Sequence, residues 1–155
     1  MRLDNTIYYE IERNNNLIIE AILIVVISGF SRGLVNYQLL GFSTISFSII
    51  SEIIGWFLRS LFIFFIGMQI LHKKANIHKI IRTIGFTYSP AILSFLGIIP
   101  YLGFSIRFIL IFAWIEIVTI IATKRLFDCE TYQAIIVVIM SFIPYLAFRI
   151  LMLFI

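Results

Sequence analysis

Apolar residues run along the chain in five long blocks separated by short polar intervals. A helix rises 1.5 Å per residue, so about 20 residues cross a hydrocarbon core of roughly 30 Å. On that measure the pattern predicts spans at Leu17–Tyr37, Ser48–Leu71, about Ile77–Ile99, about Phe104–Thr123 and Ala134–Ile155. Ahead of the first block, residues 4–14 alternate between an apolar edge (Ile7, Tyr8, Ile11) and a wet one (Glu10, Glu12, Arg13). With Asp4 able to cap it, this segment is expected to form a short interfacial helix. Between the blocks lie a polar-flecked loop at 38–47, the basic run HKKANIHKIIR with Asn76 as a helix cap, a tight Pro100–Gly103 turn, and the loop KRLFDCETYQ.

Composition turns this pattern into a statement about solvent. The 155 residues are 61% hydrophobic and 13% charged, with mean hydropathy +1.06. A soluble domain of this size cannot bury so much apolar surface. The expected fold is therefore an all-α integral membrane protein, one membrane domain over residues 1–155. Residues 1–16 hold Asp4, Glu10 and Glu12 among their cations, unlike a cleavable signal.

Charge sets the expected orientation. Lys and Arg fall at Arg2 and Arg13, at Lys73, Lys74, Lys79 and Arg82, and at Lys124 and Arg125, whereas 38–47 and 99–103 contain none. The positive-inside rule then places the N-terminus inside and the C-terminus outside. Scattered by topology, the net charge of +4 makes no nucleic-acid patch. Cys129 is the single cysteine, which excludes an intrachain disulfide. His72 and His78 sit six apart without acidic or thiol neighbours at ligand spacing, so no metal is expected. No nucleophile motif or phosphate loop is present, and no enzyme or cofactor is expected beyond bound lipid.

The candidate chemistry is the charge inside the spans: Arg32, Glu52, Arg59, Arg107, Glu116 and Arg149. Each costs about 2.5–3.5 kcal/mol at mid-bilayer unless it finds a partner, water or an interface. Depth divides them. Arg32, Glu52, Arg107 and Arg149 lie towards the outer side, and Arg59 and Glu116 lie near mid-span. The expectation is a deep Arg59–Glu116 pair beneath an outer cluster in which Glu52 is shared among arginines. Excess positive charge there suits a lipid phosphate or a partner's acidic group, and simple snorkelling to the headgroups is the alternative. On span three Gly85, Ser89 and Gly97 recur in a four-residue register and predict a helix-packing seam. Pro90 and Pro144 predict kinks.

Arg82, Gly85, Pro90, Pro100 and Gly103 in that order, then Trp114, then Ala122 with Lys124, together resemble the Yip family of five-span, Ypt/Rab-interacting membrane proteins, prokaryotic branch. The stretch DCETYQAI resembles that family's short loop before an Ala-Ile, with Tyr132 and Gln133 replacing a small and a basic residue. The resemblance implies an adaptor that contacts other membrane proteins and carries no catalytic residues. Only 16 residues precede the first span, so binding of a Rab-type GTPase is not expected. The expectation is thus a non-enzymatic adaptor or accessory subunit, self-associating or joined to other subunits, in a bacterial inner membrane or an organelle membrane of bacterial descent. The alternative is a small ion, proton or solute transporter using Glu116 and Arg59.

Overall fold

A computed structural model describes residues 17–73, 75–98 and 111–151, with backbone alone at 36 and 38–40. Among them there are helices and turns and no strand. The helices are α1 (Leu17–Leu40), α2 (Ser43–Leu71), α3 (Ile77–Phe86), a 3-10 segment (Ser89–Ile98), α4 (Phe112–Leu126) and α5 (Thr131–Leu151). Four stretches are long and apolar enough to cross a membrane: Leu17–Val35, Ser43–Leu71, Ile77–Ile98 and Thr131–Leu151. The expected interfacial helix at 4–14, the Pro100–Gly103 turn, Arg107 and the first turns of the fourth span lie outside the described residues.

α2 is the axis of the bundle, with α1, α3 and α5 all packed along it. At 29 residues it is about 43 Å long, the thickness of a bilayer with its headgroup layers. It is also longer than the expected second span. The ten-residue loop expected at 38–47 is a two-residue turn instead. Gly41 takes φ 85, its N–H bonds to the Tyr37 carbonyl at 3.0 Å, and α2 begins at Ser43. Ser43, Thr44 and Ser46 are compatible with a helix that ends in the headgroup layer. Their polarity therefore marks depth and not an end of structure.

α1 lies against the backbone of α2. A Cβ on Gly29 would stand 2.8 Å from the Ile49 Cα, and one on Gly33 would stand 2.7 Å from the Ile45 Cα. These glycines form a GxxxG pair, the spacing that lets two backbones touch in lipid.

The third span is not the continuous kinked helix that its composition suggests. α3 stops at Phe86, a turn follows at Thr87–Tyr88, and Ser89–Ile98 winds as 3-10 helix. Two local effects coincide. Pro90 has no N–H to give and disfavours the α conformation at Ser89. The Thr87 hydroxyl donates to the Ile84 carbonyl at 2.8 Å, competing with the helical ladder. Of the expected seam residues, Gly85 is buried against Ala21 of α1, Ser89 is exposed and Gly97 is half-buried. Pro144, by contrast, is carried inside an unbroken α5.

The basic connections meet at one end of the bundle. Asn76 accepts from the His78 N–H at 2.9 Å and caps α3. Lys73 Nζ donates to the Asp128 carbonyl of the α4–α5 turn, and Phe127 covers Gly67 of α2. Trp56, Ile63, Ile80, Ile84, Phe127 and Val137 form the main apolar core between this end and the middle.

Candidate functional site

Every fourth or third residue of one α2 face points inwards: Ser51, Glu52, Gly55, Trp56, Arg59 and Ser60 are all buried. A polar group placed here has to find a protein partner, because water is scarce and hydrocarbon gives none. Trp56 Nε1 donates to the Ile81 carbonyl at 3.0 Å, tying α2 to α3. Ser60 donates to the Trp56 carbonyl within its own helix at 2.8 Å.

The charges assemble in two neighbouring groups. Arg59, 2% exposed, meets Glu116 of α4 with 2.6 Å between Nη2 and Oε2. About two turns along α2, Glu52 is 1% exposed and its Oε2 receives Arg32 of α1 at 3.2 Å and Arg149 of α5 at 3.3 Å. Arg149 also donates to the Ser51 hydroxyl at 3.1 Å. One carboxylate oxygen thus holds two guanidiniums from two different helices. Arg32 and Arg149 keep about a quarter of their side chains exposed.

Tyr145 connects the groups. Its ring lies under Arg59 at 5.5 Å and under Arg149 at 5.9 Å, both within cation–π range. Gly55 makes room for it, since a Cβ there would stand 3.1 Å from the ring edge. Tyr88, in the turn after α3, is 1% exposed and lies within electrostatic reach of Arg59, Glu52 and Arg32. On α4, Thr119 and Thr123 are fully buried; Thr119 Oγ1 donates to the Ile115 carbonyl at 2.7 Å and sits 3.2 Å from the Thr87 hydroxyl. Glu52 Oε1, Glu116 Oε1 and the Tyr88 hydroxyl have no hydrogen-bond partner.

Of the six intramembrane charges read from the sequence, five are therefore in one connected cluster, and Arg107 lies outside the described residues. Sequence reasoning missed Tyr88, Tyr145 and Gly55. A signal existed for the last two: Tyr145 precedes Arg149 by four residues on one helix face, and Gly55 lies between Glu52 and Arg59. For Tyr88 there was none, because its position depends on the break after α3. No group of three metal-binding side chains occurs among the described residues. Cys129, 9% exposed in the α4–α5 turn, has its thiol pushed up by burial, with Lys73 and Lys124 pulling the other way.

Apolar helices folded around arginines and carboxylates that pair with one another define an α-helical membrane protein with a polar interior. Within that class the chain matches the Yip1 domain over residues 10–153 and belongs to the Yip1 family. No curated protein and no solved structure matches it.

Proposed function

We propose that this Yip1-family protein works by contact and not by chemistry, as an adaptor or accessory subunit that joins other membrane proteins or a second copy of itself. Its setting in this reading is a bacterial inner membrane, or an organelle membrane of bacterial descent, with lipid around it and no cofactor, nucleic acid or Rab-type GTPase bound. One observation carries the reading. The span charges that the structure describes in the cluster are turned on each other, Arg59 with Glu116 and Arg32 and Arg149 with Glu52. They are thus engaged in holding α1, α2, α4 and α5 together. The outward faces are left to large apolar side chains such as Phe57 and Phe65 on α2 and Ile139 and Ile143 on α5.

Solubilisation from native membranes in a mild detergent, followed by native mass spectrometry, tests this. The expected result is a stable assembly of more than one subunit; a clean monomer without any protein companion overturns it.

A second reading, transport, has an observation of its own. Glu116 is partly exposed and its Oε1 is unpaired beside the buried Arg59, the arrangement of a carboxylate that can take up and release a proton. Proteoliposomes in which wild-type protein moves protons or cations no faster than empty vesicles exclude it. Flux that Glu116→Gln abolishes while the variant stays folded in detergent establishes it.

A further inference from the structure

We propose that Arg32, Glu52 and Arg149 form a binding site for the phosphate of an anionic membrane lipid, seated between α1 and α5. This deepens the contact reading by naming one ligand, yet it rests on its own residues.

Charge is the first argument. Arg59 and Glu116 neutralise one another at 2.6 Å, but a single Glu52 faces both Arg32 and Arg149. Two guanidiniums within 3.3 Å of one oxygen are neighbours, and together with Glu52 they carry one surplus positive charge. Such a surplus close to hydrocarbon draws an anion.

Geometry is the second. Arg32 and Arg149 each engage Glu52 through Nη1, and a guanidinium has five donors in a planar fork. Glu52 is sealed inside, whereas the two arginines keep 23% and 26% of their side chains exposed. Part of each arginine side chain is therefore open to the surroundings of the bundle while the carboxylate is not. α1 and α5 both pack on α2 but make at most marginal contact with each other among the described residues, so the two arginines join helices that otherwise meet only through α2. A phosphate presents several oxygens to two forks at once, where a carboxylate presents two.

Depth is the third. Glu52 is nine residues into α2 from Ser43, which places it about 13 Å along the helix. With α2 spanning the full bilayer, a headgroup layer of roughly 5–7 Å leaves the site a few ångströms below it. Arginine side chains reach across that gap, and the acyl chains of a lipid phosphate held there stay in the hydrocarbon.

The test is lipid retention by the purified full-length chain. Protein in detergent is equilibrated with equal amounts of phosphatidylglycerol and phosphatidylcholine, washed, and the retained lipid counted by native mass spectrometry. The expected wild-type result is about one retained phosphatidylglycerol, favoured over phosphatidylcholine at least about tenfold: both headgroups carry the phosphate, but the choline cation cancels the net negative charge that the surplus arginine charge attracts. In Arg32→Gln/Arg149→Gln this preference should disappear. Inorganic phosphate at millimolar concentration should not displace the lipid; if it does so completely, the site takes a free anion and the lipid assignment falls. Equal retention of the two lipids by wild type, a measurement that needs no variant, overturns the proposal. An unchanged protein assembly alongside that loss leaves the contact reading standing, so the two fail separately.

Discussion

Among the described residues Arg59 is the largest side chain sealed in the interior, and Glu116 is the carboxylate that meets its charge. Removing Glu116 strands a guanidinium in a place that neither water nor lipid can serve. Glu116→Gln is therefore expected to cost about 3 kcal/mol, whereas Arg59→Met combined with Glu116→Leu should recover most of that, because an apolar pair leaves nothing unpaired. A double-mutant cycle followed by denaturant titration in detergent measures both; additive single effects would remove the pair from the account. Tyr145 serves two arginines at once. Tyr145→Leu should lower stability by about 1–2 kcal/mol and Tyr145→Phe by less, since the ring face carries the cation–π attraction to Arg59 and Arg149 and the hydroxyl only its bond to Arg32. Cys129 gives a pH-dependent readout. Burial favours its neutral thiol, so the thiolate is scarcer at neutral pH than in an ordinary cysteine and appears only as pH rises beyond the usual thiol range. Alkylation of Cys129 should be slow at pH 7 and accelerate with a midpoint above that of a free thiol. Replacing Lys73 or Lys124 by Ala should move the midpoint higher still.

Among the elements, the α1–α2 hairpin is the best determined. Its turn needs the positive φ of Gly41, and its crossing needs the missing side chains of Gly29 and Gly33. Because the atoms in the way at 29 and 33 are α2 backbone, the helices must separate to admit a larger residue. Gly33→Leu should therefore destabilise by about 1–3 kcal/mol, and Gly41→Ala by about 1 kcal/mol; thermal unfolding of the detergent-solubilised protein distinguishes the two. An indifferent Gly33→Leu would mean that α1 and α2 are not in backbone contact. The third span shows where element-level reading fails. A proline in an apolar block is expected to bend a helix, and at Pro144 the helix does continue. At Pro90 the same residue type follows a threonine that bonds back to Ile84, and α3 ends.

At the scale of the molecule, the charges act as clasps between helices far apart in sequence, with Glu52 drawing residues 32 and 149 onto α2. The basic connections after α2 and after α4 touch through Lys73 and the Asp128 carbonyl, so they belong to one side of the membrane. With Cys129 replaced by Ser, single cysteines introduced as Lys73→Cys or Asp128→Cys should react with an impermeant thiol reagent from the same side, in inverted vesicles if that side is the cytoplasm. Reaction from opposite sides would refute the arrangement of the described helices. The native Cys129 is a poor reporter here because it is buried.

Sequence alone determined the apolar surroundings, the helical class and the family, since each follows from local composition, period and motif order. It also named five of the clustered charges, because a charge in an apolar block is conspicuous wherever it points. Pairing and depth are expected from the spans as well, Arg59 with Glu116 and Glu52 among arginines; what only the tertiary structure decided is which atoms meet and what lies between the two groups. That Arg32 and Arg149 share one oxygen of Glu52, that Tyr145 fills the space over Gly55, and that Tyr88 closes the group depend on how α1, α5 and the break after α3 settle around α2. The small-residue seam shows the same division. GxxxG at 29–33 and the Gly85, Ser89, Gly97 series look alike on paper, but only the first stays on an α-helix long enough to keep its glycines on one face.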